Sequence, residues 1–345
     1  MRTIWDERPA FASRARRIGP TQAKRVLMTS PRILFVCDAG PGVGGGHVMR
    51  CLTLAGALAA RGAACAFVRT PEAAGILARY APDVALADEG AAADLVVLDS
   101  YRMAQAIEAV WRGRAKRLAV IDDLARVHDA DLVLDPSFGR AEADYAAKVV
   151  LAGPAYALVR PAFAAARATA LARRTGPAKH CLVSLGLTDV GGITGRVAAA
   201  LAGGGLALDV VVGAGAPSLG GLQALADEGR VTLHIDSDDM AGLIARADVC
   251  VGAGGSSVWE RACLGLPTVT LILADNQRDM AMKLDAAGVT MALDARWPGL
   301  EGRLGEAVGR LVADDGLRAG LSVRSAEICD GLGAERVAKA LLGLI

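Results

Sequence analysis

The sequence predicts an α/β protein built from two successive Rossmann-like domains whose parallel sheets face each other across a cleft. Three observations predict it. From Met28 onward short β-like runs alternate with helical patterns, the order expected of parallel α/β architecture. Several of those runs are continuously apolar, as strands covered on both faces must be. The alternation breaks once, at an Ala- and Arg-rich stretch ending in Thr175-Gly176-Pro177, and then resumes, so the 345 residues divide into two units.

Composition narrows the class further. The chain is 53% hydrophobic and carries 41 glycines, so it can bury two large cores and is not a disordered chain. Lys+Arg 38 against Asp+Glu 37 leaves a net charge of +1, without the basic excess of a nucleic-acid binder. No apolar run reaches the roughly 18 residues of a membrane span, and no stable membrane association is expected. Seven cysteines are scattered with no C-x-x-C pair, which argues against a zinc knuckle or a disulfide framework. Most lie in apolar runs and read as small buried hydrophobes in a reducing compartment. A cytoplasmic monomer is expected.

Residues 1–27 stand apart, with seven Arg and Lys, two prolines and no sustained apolar period. They lack the apolar core of a secretory signal and read as a disordered or mis-assigned extension before the first strand. The first domain, 28–165, carries strands at 32–37, 64–68, 84–87, 95–99, 118–122 and 132–134, with helices near 47–60, 72–80 and 103–112. A linker is placed at 166–179. The second domain, 180–345, has strands at 181–184, 208–212, 231–235, 249–251 and 268–273. Its helices are expected at 194–202, 218–227, 240–246, 257–263 and 277–286, with two or three more from Leu304 onward. Ligands of such sheets bind outside the carboxyl ends of the strands, and a site between two facing halves is favoured.

The first such end is rich in glycine. The strand at 32–37 runs into Asp38-Ala39-Gly40-Pro41-Gly42-Val43-Gly44-Gly45-Gly46-His47, and five glycines in seven residues leave the backbone nearly bare. A ligand can approach its amides closely. His47 opens the following helix, where an imidazole can act as a base near neutral pH. Gly40, Gly42 and Gly45 formally spell G-x-G-x-x-G, but a dinucleotide site wants a carboxylate about twenty residues on. The chain offers Arg69 there, so a nicotinamide cofactor fits poorly.

A second loop repeats the device. The strand at 249–251 leads into Gly252-Ala253-Gly254-Gly255-Ser256-Ser257-Val258-Trp259-Glu260, a Gly/Ser turn at a helix start that suits a diphosphate. Ser257-x-x-Glu260 also spells a capping box, which needs no ligand. Asp275-Asn276-Gln277 follows the strand at 268–273, where polar side chains would reach the cleft or cap the next helix.

Together these words resemble the two-domain nucleotide-sugar enzymes of the GT-B fold. The resemblance is strongest to the UDP-sugar hydrolase family of pseudaminic acid biosynthesis, which cleaves UDP from UDP-2,4-diacetamido-2,4,6-trideoxy-β-L-altropyranose. It rests on Gly46-His47-Val48-Met49-Arg50-Cys51-Leu52, Leu98-Asp99-Ser100-Tyr101, Ile121-Asp122-Asp123 and Gly153-Pro154-Ala155-Tyr156-Ala157-Leu158-Val159-Arg160. Ala253-Gly254-Gly255-Ser256-Ser257-Val258-Trp259-Glu260-Arg261 and Asn276-Gln277 complete it, in order from Arg32 to Gln277. The lipid II-forming N-acetylglucosaminyltransferase is a more distant likeness, without the Asp-Ser-Tyr word. The chain departs from the hydrolase pattern at Cys37, at Gly40 and at Leu187 beside Gly186, where that family has glycine.

The resemblance implies roles. His47 would activate water for attack at the anomeric carbon, with Tyr101 orienting sugar or water. Asp38, Gly45, Gly46, Asn276 and Gln277 would meet the sugar. Gly186, Ile235, Gly254, Gly255, Ser256 and Ser257 would hold UDP, with Glu260 on the ribose and uracil near residues 234–240. The implied product is an inverted sugar for flagellin or surface glycan, made without metal or cofactor. The alternative is a GT-B glycosyltransferase using a UDP-sugar donor, and a third is a non-catalytic sugar-nucleotide binder. Deleting residues 1–27 is expected to leave melting temperature and turnover nearly unchanged; a loss of several degrees on thermal denaturation would show that the segment packs on the body.

Overall fold

The structure, a computed structural model, describes residues 30–40, 44–102 and 105–345. The expected extension at 1–27 lies outside the described residues. In the first half, β1 (Arg32–Cys37), β2 (Ala64–Val68), β3 (Ala85–Ala87) and β4 (Ala93–Asp99) are followed by β5 (Ala115–Ile121), β6 (Leu132–Asp135) and β7 (Val149–Ala152). They form one parallel sheet in the order β3-β2-β1-β4-β5-β6-β7. Helices α1 (Gly46–Ala59), α2 (Pro71–Tyr80) and α3 (Gln105–Arg112) make crossovers. Ile33, Phe35, Leu95 and Val97 project into one core, and Leu34, Val96 and Leu118 into the other. That period-2 split is what a strand buried on both faces requires.

The second half repeats the plan in the order β10-β9-β8-β11-β12-β13. Its strands are β8 (His180–Ser184), β9 (Ala207–Val212), β10 (Thr232–Ile235), β11 (Val249–Ala253), β12 (Thr268–Ile272) and β13 (Met291–Asp294). Between and after them run α5 (Ile193–Leu201), α6 (Leu219–Asp227), α7 (Met240–Arg246), α8 (Ser257–Cys263), α9 (Asp275–Ala286), α10 (Leu300–Ala313) and α11 (Asp315–Ile328). Every strand pair is parallel. None of the helices is long and apolar enough to cross a membrane, among the described residues.

Two features depart from the expected organisation. The first half of the stretch assigned to a linker, 166–172, belongs to a helix, α4 (Pro161–Ala172), whose Phe163 and Ala170 are buried with α7 and α8. Its arginines are the reason. Arg167 donates to the carbonyls of Ala326 (2.7 Å) and Cys329 (3.0 Å), and Arg174 to those of Leu264 (2.9 Å) and Ile244 (3.0 Å). Helix C-terminal carbonyls lack intrahelical donors and attract cations, so this segment belongs to the second half. Conversely the last helix, α12 (Gly333–Leu342), returns to the first half, burying Ala334, Val337, Ala338 and Leu341 in the core under α1. Residues 180–345 therefore supply both cores.

The crossing of α12 depends on a glycine. A Cβ on Gly333 would lie 2.2 Å from Ala157 O and 2.6 Å from Ala157 N. Gly333→Ala is expected to push the helix off its seat at roughly 1–3 kcal/mol, the usual cost of overpacking. Thermal denaturation should read this as a fall of several degrees; an unchanged melting temperature would mean α12 contributes little to the first core.

Candidate functional site

In each sheet the winding reverses once, between β1 and β4 and between β8 and β11. At such a switch point neighbouring strands send their connections to opposite faces, and a crevice opens at their carboxyl ends. The His47 loop, the Asp99-Ser100-Tyr101 word and the 252–257 loop all occupy these two points.

At the first crevice the organising group is Asp99, the last residue of β4 and wholly buried. Arg50, one turn into α1, grips it with two hydrogen bonds, Nε to Oδ2 at 2.6 Å and Nη2 to Oδ1 at 2.5 Å. Burial alone would push the carboxyl up, but the charges of Arg50 and His47 outweigh it and hold Asp99 well below the usual carboxylate range. An ionised carboxylate only accepts. His47 Nδ1, 2.6 Å from Asp99 Oδ1, therefore carries the hydrogen of that bond, and Nε2 is the nitrogen left for other work. His47 is 4% exposed. Tyr101 stands edge-on to it with ring centroids 4.5 Å apart.

The network extends through Asp123, whose Oδ2 accepts from Arg50 Nη1 (3.2 Å) and from the Tyr101 hydroxyl (3.0 Å). Asp123 Oδ1 is buried with no partner. Burial and the Asp123 charge raise the Tyr101 phenol far above its ordinary value, so it stays a donor. Asp38, just past β1, takes hydrogen bonds from Ser100 Oγ and from Arg102 Nη2 at 3.0 Å. Burial opposes its ionisation, yet those bonds keep its carboxyl below the usual range. Arg126 donates to the carbonyls of Ser100 (2.9 Å) and Tyr101 (3.1 Å) while its Nε bonds Asp122 at 2.8 Å, which fixes the loop that carries Tyr101.

At the second crevice Gly254 and Gly255 lie against Gln277: a Cβ on Gly254 would sit 3.2 Å from Gln277 Cβ. The Ser257–Glu260 capping box is not formed. The N-cap residue is Ser256 without a side-chain bond, Ser257 Oγ accepts from Arg261 at 2.9 Å, and Glu260 Oε1 takes two bonds from Arg160 at 3.0 and 3.2 Å. A charged partner outcompetes a backbone amide for a carboxylate. Burial pushes the Glu260 carboxyl up despite Arg160. Asn276 does not cap α9 either: Ala274 is its N-cap, Asn276 is exposed on the first turn, and the Gln277 carbonyl oxygen accepts from Leu273 N at 3.0 Å.

The two crevices meet. A Cβ on Gly46 would lie 3.2 Å from Ser256 Oγ, and one on Gly45 3.5 Å from Leu187 Cδ1. Leu187, where the hydrolase pattern has glycine, thus packs on the first glycine loop. Arg79 of α2 reaches across to the carbonyl of Asp236 at 3.0 Å, beside Ile235 at the exposed end of β10. Gly186 is exposed with φ +105°, a conformation that favours glycine. His47, Tyr101, Asp38, Gly45 and Gly46 are brought together, with Ser256 opposite. Gly254, Gly255 and Gln277 form a second group, while Ile235 and Asn276 stand on the rims. Sequence reasoning assigned no role to Asp99, Arg50 or Asp123, although all three lie in the words that carry the resemblance. Among the described residues no group of three His, Cys, Asp or Glu side chains could hold a metal ion.

No protein-family model matches the chain. The spore coat polysaccharide biosynthesis protein SpsG of Bacillus subtilis (strain 168) is 27% identical over 200 residues, 56% of this chain and 58% of that protein. The match thus spans little more than half of the relative. MurG of Acinetobacter baumannii superposes with a TM-score of 0.65 at 15% identity, covering 91% of this chain and 99% of MurG. LpCGTa, solved in complex with UDP, gives 0.63 at 14% identity over 90% of this chain and 99% of its own. The two parallel-sheet, Rossmann-like halves are those of the GT-B fold.

A second buried cluster behind the first crevice makes a pH prediction. His128 Nδ1 bonds Glu108 Oε1 at 2.6 Å, and Nε2 faces Asp122 Oδ2 at 3.4 Å as an ion-pair contact. Burial opposes its charge, but the two carboxylates prevail and push His128 up from 6.5 to about 9. The folded chain therefore holds this proton more tightly than the unfolded one. The stability it adds is complete below about pH 6.5 and is lost as pH rises through about 9. Wild type is expected to melt several degrees above His128→Gln at pH 6, with the gap closing by pH 10; a gap constant with pH would refute the charged cluster.

Proposed function

We propose that this chain transfers a glycosyl group from a UDP-sugar to a hydroxyl acceptor in the making of a surface polysaccharide. The observation that carries the proposal is His47. Its Nδ1 is anchored on an ionised, buried Asp99, and its loop abuts the Gly/Ser loop of the opposite switch point. An imidazole so held turns Nε2 toward a hydroxyl that must lose its proton as the glycosidic bond forms, the arrangement of a general base. The leaving diphosphate would lie on the amides of Gly254 and Gly255 and the hydroxyls of Ser256 and Ser257, where donors stabilise developing charge. Gly186 and Ile235 would border the nucleotide. Asp38, Gly45, Gly46, Asn276 and Gln277 would meet the sugar, and the unpartnered Asp123 Oδ1 is a ready acceptor for one of its hydroxyls. Glu260 would exchange Arg160 for the ribose hydroxyls.

The SpsG likeness supports glycan assembly, because a polysaccharide is made by joining sugars, and the UDP bound to LpCGTa supports the nucleotide. A second reading has water as the acceptor, giving hydrolysis of a UDP-diacetamido-trideoxy-hexose. It is favoured by Asp99, Ser100 and Tyr101, all three of which are engaged around His47 and Asp38, since that word is shared with the hydrolase family and missing from the lipid II transferase.

Incubation with UDP-sugars, with and without saccharide acceptors, tests both readings. Turnover that requires the acceptor supports transfer, and free sugar with UDP in its absence supports hydrolysis. Binding without turnover under either condition defeats both. His47→Asn is expected to lower kcat by about 10²–10⁴ while UDP binding survives. In ¹⁸O-labelled water, label recovered on UDP would place attack at phosphorus and remove His47 from the role of base.

A further inference from the structure

Arg261 lies one residue beyond Glu260, is 3% exposed, and turns back under the second glycine loop. Nη2 donates to Ala253 O at 2.7 Å and Nη1 to Ser257 Oγ at 2.9 Å, while Nε has no hydrogen-bond partner. The guanidinium lies against the strand end: a Cβ on Gly252 would sit 2.5 Å from Arg261 Cζ, so any side chain there would displace the guanidinium. Both of its acceptors are neutral. Glu260, the neighbouring carboxylate, is turned away to Arg160.

The space behind Arg261 supplies no charge. A cavity of about 10 Å³ there is lined by Thr268, Thr270, Thr290 and Ser325, with Val258 and Leu266. Its hydroxyls are already committed. Thr268 donates to Leu266 O (2.7 Å), Thr290 to Thr268 O (2.8 Å) and Ser325 to Ser322 O (3.0 Å), and Thr270 pairs with Thr290 at 2.6 Å. What these groups turn to the cavity is lone pairs, which suit one water and repel an anion. Removal of a cation from water without a counter-charge is costly, and burial accordingly pulls the pKa of Arg261 down. Glu260 next to it in sequence acts on this charge without bonding it, and the side left open to a further anion is the front, across the loop.

We propose that Arg261 is a positioning and specificity residue: a fixed positive charge with no carboxylate bonded to it, beneath residues 253–257, that makes the loop select a nucleoside diphosphate over an uncharged nucleoside. This rests on the reading of that loop as the diphosphate site. Arg261 does not touch the ligand. It holds the loop open through Ala253 O and Ser257 Oγ, and its charge acts through a few ångströms of dry protein, where screening is weak.

Calorimetric titration with UDP and with uridine tests it, the readout being the ratio of the two affinities. In Arg261→Gln the ratio is expected to fall tenfold or more with uridine affinity little changed, and in Arg261→Lys to stay near the wild-type value. Ser325→Asp forces a counter-charge into the cavity with the guanidinium in place, and should lower the ratio at some cost in melting temperature. It keeps the test alive if Arg261→Gln does not fold. An unchanged ratio in Arg261→Gln or Ser325→Asp overturns the proposal and leaves Arg261 a packing residue. Wild type that binds no UDP would instead overturn the reading of the loop.

Discussion

A carboxylate sealed from water stays ionised only if donors and cations surround it, and the first half of this protein is arranged around that requirement at Asp99. Its place at the end of β4 is set by the sheet. Its partners come from α1, where Arg50 and His47 are three residues apart and so share a face of the helix. Remove the carboxylate and Arg50 becomes a buried cation held only by Asp123, while His47 loses the bond that sets its tautomer. Because β1 and β4 are neighbours at the switch point, the same arrangement brings Ser100 onto Asp38 and Tyr101 against His47. The geometry follows from topology and one charge.

The second half solves the opposite problem. Its crevice has a buried cation, Arg261, under a loop whose side chains are neutral, and its nearest carboxylate is engaged elsewhere. One crevice carries an anchored negative charge behind a histidine, the other a positive charge behind a glycine loop. The Arg160–Glu260 pair ties α8 to the segment that joins the halves, so anything that draws Glu260 away also loosens that tie.

The arginines of the junction show how sequence composition can mislead. Residues 166–179 have no clear apolar period and suggest a spacer. Arg167 and Arg174 do their work at the carbonyl ends of α7, α8 and α11, and helix ends far apart in sequence cannot be read as one site before the fold brings them together. Domain membership, for the same reason, does not follow chain order: α12 closes the first core from the far end of the chain.

The architecture and the addresses of the two loops are legible in the chain alone. Strands such as β1, β8 and β11 were legible because a strand buried on both faces must be a short apolar run, and the glycine loops because only glycine permits such close backbone approach. The edge strands β7 and β13 were not read as strands, although each lies on the edge of its sheet. Local grammar allows a capping box at Ser257 and Glu260 and a cap at Asn276; the first is overridden because Arg160 and Arg261 offer stronger donors than a helix amide, and the second because α9 already begins at Asp275. Asp99, Arg50 and Asp123 sit 49 to 73 residues apart in their contacts, a separation over which no periodicity speaks. Their roles were decided only when parallel strands set those residues side by side, because a buried charge is defined by its neighbours in space.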